Sequence, residues 1–173
     1  MIEEQILQMM KAALPSFCRC AAGRPAVKGD HIHIDDERIK LPLERPVIFF
    51  ELDTGFDNPK GYGHNERLKE IDLERSEFVF EKSAEVVKGY SVYCWIPMYG
   101  KYGGELTRIR IFDALQDAFM FEDAFVLKFA RSHELPADEG ATQAIYELTY
   151  KGIKTKEKRE AGFTEISLSH SFE

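Results

Sequence analysis

The chain has 173 residues, of which 44% are hydrophobic and 12% aromatic, and its formal charge is −7. That is enough apolar material for one sizeable core, and it excludes a disordered chain. The acidic balance tells against a general binder of nucleic acid or anionic membrane, because phosphate contacts need clustered Lys and Arg.

In chain order, Ile2, Ile6, Met9 and Ala13 recur at helical spacing with Leu7, Met10 and Leu14 beside them, while Glu3, Glu4, Gln8 and Lys11 take the other side. Pro15 disfavours the helical region for Leu14, so the helix is predicted to stop there. Gly23, Pro25 and Gly29 then punctuate a connector. His31–Ile34 and Ile39–Leu41, parted by Asp35, Asp36, Glu37 and Arg38, read as a short hairpin with an acidic turn. Val47–Leu52, introduced by Pro46, is almost continuously apolar, as in a strand covered on both faces. Thr54–Asn65 reads as a long loop carrying Phe56, Tyr62 and His64. Exposed aromatics on such a loop anchor partner subunits; folding back on the core is the competing reading.

Leu68–Lys82 reads as extended. Val86–Met98 is the stretch around which the chain is organised: Tyr90, Val92, Cys94, Ile96 and Met98 face one way, Ser91, Tyr93 and Trp95 the other, and bulk on both sides predicts cover on both. Tyr99–Gly104 supplies a turn, with Tyr99 and Tyr102 as further candidate interface residues. A helix follows from Glu105, with Leu106, Ile109, Phe112, Leu115 and Ala118/Phe119 as its expected apolar stripe and Arg108, Asp113, Gln116 and Asp117 as its wet side. Phe125–Phe129 alternates as a strand, Glu134–Gly140 is polar, and Ile145–Tyr150 alternates again. The basic run Lys151, Lys154, Lys156, Lys158 and Arg159, interleaved with Glu157 and Glu160, is expected at a solvated hairpin tip or loop. Phe163–Phe172 alternates most cleanly, as a half-buried or edge strand. Helix, strands, helix, strands predicts an α+β fold: a mainly antiparallel, mixed sheet packed by an N-terminal helix and one central helix, in a single domain over 1–173.

The residues that bear chemistry are sparse. His31, His33 and Asp35 are the nearest approach to a metal cluster, since alternate strand residues share a face and imidazole suits zinc or iron. They lack a clear third ligand, and a solvated strand face is the favoured reading. His64 has no Ser or Cys motif beside it to activate. The glycines of 61–63 and 100–104 form neither a phosphate loop nor a dinucleotide fingerprint. No catalytic, cofactor-binding or metal-ligating residue is assigned. Cys18, Cys20 and Cys94 are odd in number and match neither a redox nor a zinc spacing, so reduced structural thiols are expected. No apolar run reaches the length of a membrane helix, and a cytoplasmic protein is expected.

The helix ending at Pro15, the strand from Arg45-Pro46 through Phe50, the strand Gly89–Pro97 leading into one helix, and the late strand Ile145–Tyr150 together resemble the phage tail-terminator, or tail-completion, proteins of the lambda type. The resemblance covers the chain to about Tyr150; Lys151–Glu173 would be an added strand. It implies a phage or prophage structural protein without enzymatic activity, assembling as a homohexameric ring that caps the tail tube and meets the head–tail connector. It carries over no catalytic residues, no cofactor, no sequence-specific nucleic acid and no membrane partner. Location would be the bacterial host cytosol, or the virion tail of an active phage. Phe56, Tyr62, His64, Tyr99 and Tyr102 are the candidate subunit-interface residues. The alternative is a small cytosolic metal-dependent enzyme or ligand-binding domain using the His31, His33 and Asp35 face.

Overall fold

The structure, a computed structural model, describes residues 1–53, 65–135 and 140–162. The chain divides into two compact units, Met1–Asn58 with Val87–Lys151, and Pro59–Val86 with Gly152–Glu173. The fold is α+β, with a mostly antiparallel mixed sheet.

In the first unit, α1 (Ile2–Ala13) buries Ile6 and Met10. It ends at Leu14, whose extended backbone (φ −72°, ψ 149°) obeys the restriction imposed by Pro15. The connector holds two short strands that its composition hid, β1 (Arg19–Ala22) and β2 (Ala26–Lys28). The hairpin follows as β3 (His31–Ile34) and β4 (Glu37–Lys40), its turn shortened to Asp35 and Asp36. Asp35 takes a φ of 51°, which Asp tolerates and a two-residue hairpin turn requires. Next come β5 (Val47–Leu52) and β7 (Glu77–Pro97), the latter 21 residues long, so that the strand expected at Val86–Met98 is its second half. Between them in sequence comes β6 (Asn65–Asp72), which belongs to the second unit. Then come α2 (Gly104–Met120), β8 (Phe125–Glu134) and β9 (Ala141–Ala161).

The main sheet has the order β1-β5-β7-β9-β8. β1 runs parallel to β5, with Cys20 opposite Ile48, and β5 is antiparallel to β7, with Val47 opposite Trp95 and Leu52 opposite Tyr90. Because side chains alternate across a strand, this register sorts the apolar residues into two layers. Ile48, Phe50, Tyr90, Val92, Cys94 and Ile96 meet the helices, in one cluster with Ile6, Met10, Ile111, Leu115 and Phe119. Val47, Phe49 and Trp95 point the other way, into a second cluster with Ile32, Ile34 and Ile39 of the β2-β3-β4 sheet. The central strands are therefore covered on both faces, as their bulk predicts. Each fully buried Ile, Val or Phe contributes about 1.5–3 kcal/mol of transfer free energy.

The apolar stripe of α2 differs from expectation. Thr107, Ile111, Leu115 and Phe119 form the buried row, whereas Leu106 is 73% and Ile109 46% exposed. Reading Thr107 as polar hides this row; its i, i+4 spacing seats three large side chains on the core and leaves Phe112 at the flank. There Phe112 meets Tyr146 edge-on (5.5 Å) and Phe129 (6.2 Å).

In the second unit, β6 pairs antiparallel with the first part of β7, with Leu68 opposite Phe80. The stretch read as extended is thus two strands around a turn at 73–76. Ion pairs cross the strands: Arg67 with Glu81 (2.8 Å), Lys82 with Glu66 (3.7 Å), Lys69 with Glu157, and Arg159 with both Glu77 (3.3 Å) and Asp72 (3.6 Å). The basic run of 151–159 therefore lies on the second half of β9 and not in a loop or at a hairpin tip; Glu157 and Arg159 pair with neighbouring strands, and Lys158 pairs with Glu160 along its own. The expected strand Phe163–Phe172 lies outside the described residues.

Candidate interaction surfaces

The histidine pair lies on the outward face of β3, since Ile32 and Ile34 take the inward one. Cross-strand pairing decides its neighbours: Lys28 and Lys40 stand opposite His31, and Ala26 and Arg38 opposite His33. Lys28, Arg38 and Lys40 are exposed. The pKa of His33 is lowered by desolvation and then by Lys28, Arg38 and His31, so the imidazole resists further positive charge. His31 Nδ1 lies 2.7 Å from Asp30 Oδ1. Asp35 sits in the turn and reaches toward Lys11 at 4.0 Å. These surroundings repel a divalent cation, and among the described residues no three His, Cys, Asp or Glu side chains gather in a way that would hold a metal ion.

Of the candidate interface residues, Phe56, Tyr62 and His64 lie outside the described residues. Tyr99 is 85% exposed. It borders an open groove of about 450 Å³ that the described residues Pro42, Leu43, Met98, Glu134, Leu135 and Gly140 also line. Tyr102 is half-buried, stacked on Phe17 at 4.9 Å with the Arg45 guanidinium 5.8 Å from its ring.

The turn that presents both tyrosines is held by Gly103: a Cβ there would lie 2.5 Å from the Tyr99 carbonyl oxygen and 2.6 Å from that of Pro97. Gly104, at φ +84°, then opens α2. Along the solvent side of the helix stand Leu106, Ile109, Arg110, Asp113, Gln116, Asp117 and Met120, and its last turn carries no basic residue. Phe121 (82% exposed), Glu122 and Asp123 continue this surface beyond the C-terminus. Sequence reasoning placed Asp113, Gln116 and Asp117 on this wet side but missed the exposed Leu106 and Ile109 beside them, and it missed the basic character of the small sheet. The latter was available from the spacing of Lys28, His31, His33, Arg38 and Lys40, each of which takes the outward position once the hairpin register is fixed.

Two polar side chains, Trp95 and Gln143, are engaged with each other inside the fold. The indole of Trp95 donates to Gln143 Oε1 at 2.7 Å, and Gln143 Nε2 lies 3.2 Å from His133 Nε2. Cys18, Cys20 and Cys94 are free and buried. Burial pushes the Cys20 thiol up to about 11 and Cys18 to about 12, and raises Cys94 further. Compared with known proteins, the chain matches no family model and no curated sequence. No helix among the described residues is long and apolar enough to cross a membrane.

Proposed function

We propose that the chain is a structural assembly protein of a phage or prophage tail, working as tail terminators do: a homo-oligomeric ring, hexameric by that resemblance, that caps the tail tube and meets the head connector. The observation that carries this reading is where the apolar side chains stand. The central strands of the first unit are covered on both faces, yet Tyr99 and Leu106 at the start of α2, and Met120 and Phe121 at its end, remain 62–85% exposed. Large apolar side chains left exposed along one element are the kind that protein–protein contact surfaces use. The order α1, β5, β7, α2, β9 is the order on which the resemblance rests. The ring does its work by contact, without bond-making chemistry, metal or cofactor.

Multi-angle light scattering on the purified protein tests this. A stable species several times the protomer mass of 19.9 kDa, able to bind tube subunits encoded beside it, is the expected result. A stable monomer holding stoichiometric metal would transfer the assignment to a ligand-binding or metal-dependent domain built on His31, His33 and Asp35.

A further inference from the structure

The small sheet β2-β3-β4 presents an outward face composed of Ala26, Lys28, His31, His33, Arg38 and Lys40. On a chain of net charge −7, that face carries no acidic side chain. Two of the nearest acids are drawn elsewhere, Glu37 accepting from Arg19 at 2.6 Å and Asp35 reaching toward Lys11, while Asp30 adjoins the face at its edge, 2.7 Å from His31. Lys28, Arg38 and Lys40 form no ion pair with any described residue. The C-terminal half of the outer surface of α2, beyond Arg110, has the opposite character. Asp113 and Asp117, one helical turn apart, share a stripe with Met120, and Glu122 and Asp123 follow at the end where helix carbonyls already concentrate negative potential. None of these four acids pairs with a described cation.

We infer that the β2-β3-β4 face of one copy docks on the C-terminal half of α2 of a second copy. This rests on the proposed self-assembly and names the surfaces it uses. Two different patches on one chain make a head-to-tail contact, the kind that closes rings. The aliphatic stems of Lys28 and Lys40 cover Met120, and the Arg38 guanidinium takes the exposed Phe121 ring, while their charges meet Asp113, Asp117, Glu122 and Asp123. Nucleic acid is the weaker occupant. Three permanent cations neutralise few phosphates, against the about six to ten contacts of an established duplex binder, and the remaining charge of the chain repels DNA.

The test reverses charge on each surface separately, using Arg38→Glu with Lys40→Glu on the sheet and Asp113→Lys with Asp117→Lys on the helix. Each double variant is expected to weaken self-association about tenfold or more, while circular dichroism stays that of the wild type. Mixing the two variants, or placing all four changes in one chain, is expected to restore the oligomer, which misfolding would not allow. An oligomer indifferent to both reversals overturns this inference and leaves the proposed function standing. A wild-type chain that is monomeric at all concentrations removes both. Tight binding of a labelled DNA duplex at physiological salt, lost with Arg38→Glu and Lys40→Glu, would give the face to nucleic acid and overturn the docking.

Discussion

The carboxylate of Glu3 accepts a hydrogen bond from the Tyr90 hydroxyl at 2.7 Å and another from Lys88 Nζ at 3.0 Å, tying the first turn of α1 to the central strand across 87 residues of sequence. Burial pushes this carboxyl up, but the Tyr90 hydroxyl, a backbone N–H and Lys88 more than offset it, leaving the group at about 2, well below its ordinary 4.5. A depressed folded-state value means stabilisation that is complete above the unfolded value and lost as pH falls from about 4.5 to about 2. Glu3→Gln is expected to lower unfolding stability at neutral pH by on the order of 2 kcal/mol, with allowance for solvent screening at a side chain 26% exposed. The gap between variant and wild type should close toward pH 2 in urea titrations across that range; a gap independent of pH would deny the charge its part.

Substitutions on α2 test which face is inward. Ile111→Ala, at a fully buried position, is expected to cost about 2–5 kcal/mol. Leu106→Ala, at a site 73% exposed, should stay within about 0.5 kcal/mol. Urea midpoints decide the matter, and equal costs would restore the stripe through Leu106 and Ile109.

Gly103→Ala is expected to destabilise by about 1–3 kcal/mol, because the atoms its methyl meets are backbone carbonyl oxygens that cannot swing aside. Thermal unfolding measures it. A neutral result would mean that the turn before α2 relaxes freely.

Gln143→Leu removes the acceptor of the Trp95 indole and leaves a buried N–H unpaired, at a cost of about 1–3 kcal/mol. Trp95 is the sole tryptophan, so its fluorescence reports on the layer between the two sheets, and its emission is expected to change with the substitution. An unchanged spectrum and midpoint would show that water replaces the amide at no cost.

The three thiols should react with a disulfide reagent only when the protein unfolds, since burial withholds each sulfur and disfavours its thiolate. Rapid labelling of native protein would contradict the burial of Cys18, Cys20 and Cys94.

How much the sequence discloses depends on whether a residue's partner is near or far along the chain. Pro15 ends α1 through its own neighbour, and Val47–Phe50 announces a doubly covered strand by bulk alone. The row Thr107–Ile111–Leu115–Phe119 is another matter: two stripes of similar apolarity compete on one helix, and the choice belongs to Ile6 and Met10, a hundred residues away. The same holds for His31 and His33, whose meaning changed once pairing set Lys28, Arg38 and Lys40 beside them. β1 and β2 stayed hidden because strands of four and three residues acquire their identity from β5 and β3. No local pattern distinguishes them from a connector.

The placement of β5 against β7 also bears on synthesis. Val47 pairs with Trp95, and Glu3 waits for Tyr90, so the amino-terminal half leaves the ribosome before its hydrogen-bonding complement has been translated. Folding dominated by such distant pairings is slow, typically about milliseconds to seconds for sheet proteins. During that interval Val47, Ile48, Phe49 and Phe50 form a naked aggregation-prone segment. A nascent chain stalled before residue 97 should accordingly be held by chaperones, and one released only after β9 has been added beside β7 should fold free of them.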